Sequence, residues 1–356
     1  MSEGAMASAT RLTPDELHGW LAGMLGDKRV LAAVDEDGLR VFRSVERADQ
    51  IALPTGKTRW SPKEFLFART ETLFAYSVAG NEVTLDGAPV ESAEQVLVGV
   101  RPCDAAGFLR LDAIFLDGDA DSLYASHRVR TTVVTVACDE AGPECFCTAV
   151  GGSPASDKGS DVHLTRVADG WLVRPVTAKG DRLTASLAGV GRAPSPEEHA
   201  EAETQSTRVA GHIRQSAIAR EWAAILESRF HLPLWETLGR RCVGCGICTY
   251  VCPSCSCFDV TDTGSASCGE RCRSWDSCTF AAFTRHASGH NPRATQAARY
   301  RQRVLHKFSY FPLGHDGESM CVGCGRCVQL CPVGLNVRET VQAVVAAAAD
   351  GHDAGG

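Results

Sequence analysis

No stretch of this 356-residue chain is apolar over the roughly 20 residues that a membrane-spanning helix needs, and Val341–Ala348 falls well short. The opening MSEGAMASAT lacks the basic-then-apolar order of a secretory leader, so a cytoplasmic location is expected. Excess positive charge is also missing. The formal net charge is −7, which argues against nucleic acid as the main partner. No complete phosphate loop occurs: Gly56-Lys57-Thr58 has the ending, but Ile51 stands where the first glycine belongs. Gly189-Val190-Gly191 has no third glycine and no preceding strand, which excludes a dinucleotide fingerprint. The eleven histidines are scattered, and His286 and His290, though at helical spacing, read as surface or structural residues. No nucleophile with a placed base is legible. No residue is therefore assigned a catalytic role.

What the chain has in excess is cysteine, seventeen residues in all. An odd count in a long chain, with metal-like spacing, points to a reducing compartment rather than a disulfide scaffold. Eight of them fall in two matching runs, Arg241–Pro253 (RCVGCGICTYVCP) and Met320–Pro332 (MCVGCGRCVQLCP). Each has the spacing C-x2-C-x2-C-x3-C followed by proline, the run with which two-cluster ferredoxins hold 4Fe–4S clusters. Zinc prefers two separated pairs and has no use for three thiolates packed so closely. In such runs the fourth cysteine serves the other cluster. Cys242, Cys245, Cys248 and Cys331 are therefore assigned to one cluster, and Cys321, Cys324, Cys327 and Cys252 to the second.

The rest of the chain frames these runs. Residues 1–190 read as a mixed α/β domain. Thr13-Pro14-Asp15-Glu16 is a capping box before a helix with a core stripe at Leu17, Trp20, Leu21 and Met24. Strands are expected at Val30–Val34, Leu39–Val45, Val96–Val100 and Thr131–Ala137. A hairpin, Val162–Val167 with Trp171–Val176, turns at Asp169-Gly170. Asp104 is placed to cap a helix over Ala105–Phe115. Two buried-type strands end in Cys103-Asp104 and Cys138-Asp139, where sites gather in open α/β sheets. With Cys145 and Cys147 they make a candidate third cluster; the competing reading is buried structural cysteine.

Ser195-Pro196-Glu197-Glu198 starts a helical segment running to Phe230, with an apolar stripe at Ile213, Ala217, Ile218, Trp222, Ile225 and Leu226. The expected layout is α+β: a mixed α/β domain (1–190), a linking helical segment (191–238) and a two-cluster ferredoxin-like domain (239–356) interrupted by an insertion (254–319). The insertion carries Cys255, Cys257, Cys268, Cys272 and Cys278, whose roles are open. It also carries Arg285, Arg293, Arg299, Arg301, Arg303 and Lys307, either a solvated face or cations that offset cluster charge or dock an acidic partner. Asn336 and Glu339 form a capping box for a closing helix.

Several stretches resemble the iron–sulfur β subunit of cytoplasmic sulfhydrogenases, the NAD(P)-linked nickel–iron hydrogenases, and the related iron–sulfur subunit of anaerobic sulfite reductases. They are SPKEFLF (Ser61–Phe67), VGVRPCD (Val98–Asp104), CFC (Cys145–Cys147), CPSCSCFD (Cys252–Asp259), WDSC (Trp275–Cys278), GHNPR (Gly289–Arg293), HKFSYF (His306–Phe311) and Cys321–Pro332. The resemblance covers most of the chain. It implies an electron relay between a partner that binds flavin and NAD(P) and a catalytic subunit of hydrogenase or sulfite reductase type. A self-contained iron–sulfur reductase with a redox site in residues 1–190, or a non-catalytic redox-sensing module, are the other readings.

Overall fold

The computed structural model describes residues 9–53, 56–87, 93–213 and 217–347. Residues 1–8 of the opening segment, and Ala348 at the end of the run Val341–Ala348, lie outside that set. In chain order the strands are β1 (Thr10–Leu12), β2 (Arg29–Glu36), β3 (Leu39–Ser44), β4 (Thr70–Ala79), β5 (Glu82–Gly87), β6 (Gln95–Val100), β7 (Thr131–Val136), β8 (Val162–Val167), β9 (Gly170–Pro175), β10 (Phe258–Gly264) and β11 (Cys268–Trp275). The chain divides into two compact units. The first comprises Met1–Leu66, Ser92–Ser216 and Val322–Cys324; the second comprises Phe67–Glu91, Ala217–Cys321 and Gly325–Gly356.

The first unit is built on a mixed sheet of order β1-β9-β8-β7-β6-β2-β3. Its centre, β2-β6-β7-β8, is parallel, and β3, β9 and β1 add antiparallel edges. Strands β6 and β7 have the near-continuous apolar character of strands covered on both faces. Helix Pro14–Met24 starts at the expected capping box and buries Leu17, Trp20, Leu21 and Met24. That face joins Val96, Val98, Val134, Val136 and Leu164 in one core. Helix Pro102–Phe115 begins earlier than the sequence suggested. Arg101 is its N-cap and Pro102 takes the first position, so Asp104 lies inside the first turn rather than capping it.

The second unit contains an antiparallel sheet of order β10-β11-β4-β5. Phe67–Glu91, expected to belong with residues 1–190, lies here instead, and its two strands extend the hairpin from the insertion. The helical segment after Ser195 is two helices among the described residues, Pro196–His212 and Trp222–Ser228, not one running to Phe230. Ser195 makes its capping box with Glu198. Further helices cover Leu234–Arg240, Gln296–Leu305 and Val337–Ala347, with a π turn at His306–Tyr310. No helix among the described residues is long and apolar enough to cross a membrane.

Candidate metal centre

The two cysteine runs fold alike because glycine permits the same backbone in both. Gly244 and Gly246 have φ of 66° and 75°, and Gly323 and Gly325 have 64° and 74°. Gly246 and Gly325 each stand as the left-handed residue before a short helix, Ile247–Tyr250 and Arg326–Gln329. A side chain at Gly246 would collide with the Phe280 ring at 2.6 Å.

In the second unit, Cys242, Cys245, Cys248, Cys327 and Cys331 line one cavity, with Arg303 in its wall. Cys331 belongs to the later run in sequence yet shares the cavity with the first three cysteines of the earlier one. Nitrogen donors point at the sulfurs: Gln296 Nε2 donates to Cys242 Sγ at 3.1 Å, and the Leu335 amide donates to Cys331 Sγ at 3.3 Å. On the other side, Cys252 is buried beside Ser254 Oγ at 3.4 Å. Cys327 lies in the electrostatic reach of Cys252. Lys307 faces both Cys252 and Cys321. Within the first unit, the segment Val322–Cys324 packs on Phe146–Cys147, where the Phe146 amide donates to Gly323 O at 2.8 Å.

Two cations sit buried among the thiols, Arg303 at 4% and Lys307 at 3% exposure. Arg303 Nη1 donates to Cys255 Sγ at 3.5 Å and Nη2 to Cys248 O at 2.7 Å; Lys307 Nζ donates to Ser254 Oγ at 3.0 Å. Burial alone would discourage both charges, while the sulfurs of Cys248, Cys255, Cys327 and Cys278 favour the Arg303 cation and those of Cys252 and Cys255 favour Lys307. Burial in turn pushes the Cys248 thiol up to about 11 and raises Cys327. Cys252 moves the other way, lowered by a hydrogen bond from Cys255 and then by Lys307 and Arg303. Sulfur-only donors at ferredoxin spacing, amides aimed at sulfur and buried cations fit thiolate-ligated iron–sulfur clusters. Among the described residues, no group of three or more His, Cys, Asp or Glu closes on a single-ion centre. A cubane takes its thiolates at separate iron corners, so the donor chemistry decides the fit.

The four other cysteines singled out by sequence lie in the first unit. Cys138, Cys145 and Cys147 interact electrostatically with one another; burial raises Cys138 to about 11 and Cys147 to about 12. Cys103 sits in the first turn of Pro102–Phe115. Sequence reasoning leaves Cys255, Cys257 and Cys278 without a role, although all three belong to the thiol-rich part of the second unit. The CPSCSC spacing is the available signal. His286 and His290 are not on a helix: they close an exposed turn in which the His286 amide donates to His290 O at 2.8 Å.

Residues 241–335 match the family model of a 4Fe-4S dicluster domain. Over 308 residues the chain is 32% identical to sulfhydrogenase 2 subunit beta of Pyrococcus furiosus, covering 85% of this chain and 88% of that protein.

Proposed function

This chain belongs to the family of sulfhydrogenase β subunits, and from that membership we propose that it serves as an electron relay inside a multi-subunit complex. Its coarse role is that of an iron–sulfur electron-transfer subunit. In the finer reading, the chain takes electrons from a flavin/NAD(P)-binding subunit, moves them through two 4Fe–4S clusters and delivers them to a catalytic subunit of hydrogenase or sulfite reductase type. The clusters supply one-electron redox chemistry when bound. Cys242, Cys245, Cys248 and Cys331 hold the first; Cys321, Cys324, Cys327 and Cys252 hold the second. Residues 239–356 then form the ferredoxin-like domain, opened by the insertion 254–319.

The observation that carries this reading is the cavity shared by Cys331 and the first three cysteines of the earlier run. Cys327 also lines that cavity, and the approach of Cys331 to the earlier run supports the crossed ligation expected of a two-cluster ferredoxin. Gln296 and the Leu335 amide donate hydrogen bonds to the ligating sulfurs and draw charge from them, while Arg303 and Lys307 offset the charge of the thiolates. A cluster with four cysteine ligands has no open position for a substrate, unlike a catalytic metal site. The test is to reconstitute the chain alone and offer it NAD(P)H with viologen dyes, hydrogen, or sulfite. It should be reduced chemically and re-oxidised rapidly, with turnover only when partner subunits are added. Sustained turnover by the lone chain ends the relay reading.

A second reading adds a cluster at Cys103, Cys138, Cys145 and Cys147, favoured by the convergence of three of those thiols. Iron that is lost on Cys138→Ala while both runs stay loaded is its measure.

A further inference from the structure

The sulfur of Cys242, first ligand of the earlier run, is met by a side chain that no cluster spacing predicts. Helices Leu234–Arg240 and Gln296–Leu305 cross at Gly239 and Ala297, so closely that a side chain at Gly239 would overlap Ala297. The Cys242 amide in turn donates to Gly239 O at 3.0 Å. The crossing therefore seats Gln296, one residue before Ala297, beside Cys242. There Gln296 Nε2 donates to Cys242 Sγ at 3.1 Å.

A carboxamide has two ends of nearly the same shape and opposite chemistry, one a donor and one an acceptor. Here the acceptor end is fixed. Arg299, one turn further along the helix, donates through Nε to Gln296 Oε1 at 3.0 Å. Its guanidinium is itself anchored, for Nη1 donates to Arg293 O at 2.8 Å and to Ala294 O at 3.0 Å, and the residue is 8% exposed. A guanidinium has donors only, so the amide atom facing it has to be the oxygen. Turning the amide over would set its NH2 against the Arg299 Nε–H and its oxygen against the sulfur, losing two hydrogen bonds together. Gly244 completes the seat, since a Cβ there would stand 3.2 Å from Gln296 Oε1.

We propose that Gln296 sets the reduction potential of the cluster held by Cys242, Cys245, Cys248 and Cys331, and that Arg299 is the positioning residue that keeps the Gln296 N–H on the sulfur. The proposal rests on the two-run reading above. A hydrogen bond to a ligating sulfur strengthens as the sulfur gains negative charge. The reduced state therefore gains more from it than the oxidised state, and the potential rises. The step takes up one electron from the donor subunit and no proton, because neither a carboxamide nor a guanidinium exchanges its proton near neutral pH.

The experiment uses the full chain purified anaerobically with its co-purifying subunits, in a redox titration followed by EPR. The signal that Cys245→Ala removes identifies the cluster of the first run. Gln296→Met has similar length and no donor. It should weaken reduction of that cluster about tenfold, which is about 59 mV toward negative potential for a one-electron couple, and leave the other cluster in place. Arg299→Met should shift the same potential the same way, in part by removing a charge. The double variant separates the two causes: if Arg299 acts through the amide, the two shifts together fall short of their sum. Fully additive shifts overturn the positioning role, and an unmoved potential in Gln296→Met overturns the whole proposal. If the variants do not load, wild-type protein carrying glutamine labelled with 15N in the side chain decides alone. Coupling of that nitrogen to the first-run signal is expected, and its absence overturns the proposal. Failure of the two-run reading looks different: iron would then fall well short of about eight per chain, whatever the potentials do.

Discussion

Arg303 donates through Nη1 to Cys255 Sγ at 3.5 Å and through Nη2 to Cys248 O at 2.7 Å, so one buried guanidinium ties the third cysteine of the first run to the loop after it. A fixed cation there favours whichever cluster state carries more negative charge, which is the reduced one. At about 7 Å and an effective dielectric of about 20, a unit charge contributes about 2 kcal/mol. For a one-electron couple that is on the order of 100 mV. Arg303→Met should therefore make at least one cluster potential more negative by that order, and Arg303→Lys should recover much of the shift. An EPR-monitored redox titration checks this; unchanged potentials in Arg303→Met would remove the guanidinium from the account.

Gly323 supplies a stability prediction. Its φ is 64°, and a Cβ there would stand 2.5 Å from the backbone of Cys147 and Phe146. Gly334 has the same φ of 64° with open space around it. Gly334→Ala should cost about 1–2 kcal/mol for the left-handed backbone alone. Gly323→Ala should cost clearly more, because backbone must move. Thermal unfolding of the two variants separates the cases, and equal losses would show that the close approach carries no energetic weight.

Sequence made the ligand-bearing parts legible because their chemistry is local. The cysteine spacings, the glycines between them and the boxes at Thr13 and Ser195 each act within a few residues. The pairing of β4 with β11 was not legible. β10 is exposed throughout and β11 is half-buried over much of its length with no regular alternation, so neither marks a face, and the β4 partner of β11 lies far away in sequence. The burial of Arg303 and Lys307 was half legible. They stand four apart, and with Tyr300, Val304 and Phe308 they share the buried side of that segment. A cation on an apolar face is unreadable until its partners are known, and here those partners are cysteine sulfurs that become anionic on ligating a metal. The role of Asp104 was misplaced because Pro102 starts the helix earlier.

His163 sets a pH dependence in the first unit. It is buried at 4% exposure, with Nδ1 2.8 Å from Thr135 Oγ1. Burial, aided by Arg174, lowers its pKa to about 4. The unfolded chain takes up the proton near 6.5 while the folded chain resists it. Stability is therefore full above about 6.5 and falls as pH drops toward 4. Between pH 7 and pH 5 this group should cost about 2 kcal/mol. Denaturant unfolding of wild type and His163→Gln at both pH values tests it. The variant should show a smaller loss by that amount; an identical loss would assign the acid sensitivity elsewhere.

Cys252 is the sharpest test of crossed ligation, because sequence proximity and function point to opposite clusters. It follows Cys242, Cys245 and Cys248 in one run, yet its buried sulfur neighbours Cys327, and Lys307 faces it together with Cys321. If it ligates the second cluster, Cys252→Ala should degrade the centre of Cys321, Cys324 and Cys327 and spare the one lined by Cys242, Cys245, Cys248 and Cys331. Cys331→Ala should do the reverse. Both variants can be prepared in the assembled complex and followed by EPR of the reduced state, where two cluster signals are resolved by their potentials. The adjoining thiol of Cys255 complicates the first variant, since it is hydrogen-bonded to Cys252 and can move in as a replacement ligand. Cys252→Ala with Cys255→Ala removes that rescue, so the double variant should lose the second cluster more completely than the single one. Loss confined to the first cluster in the Cys252 variants would reverse the assignment of both fourth cysteines.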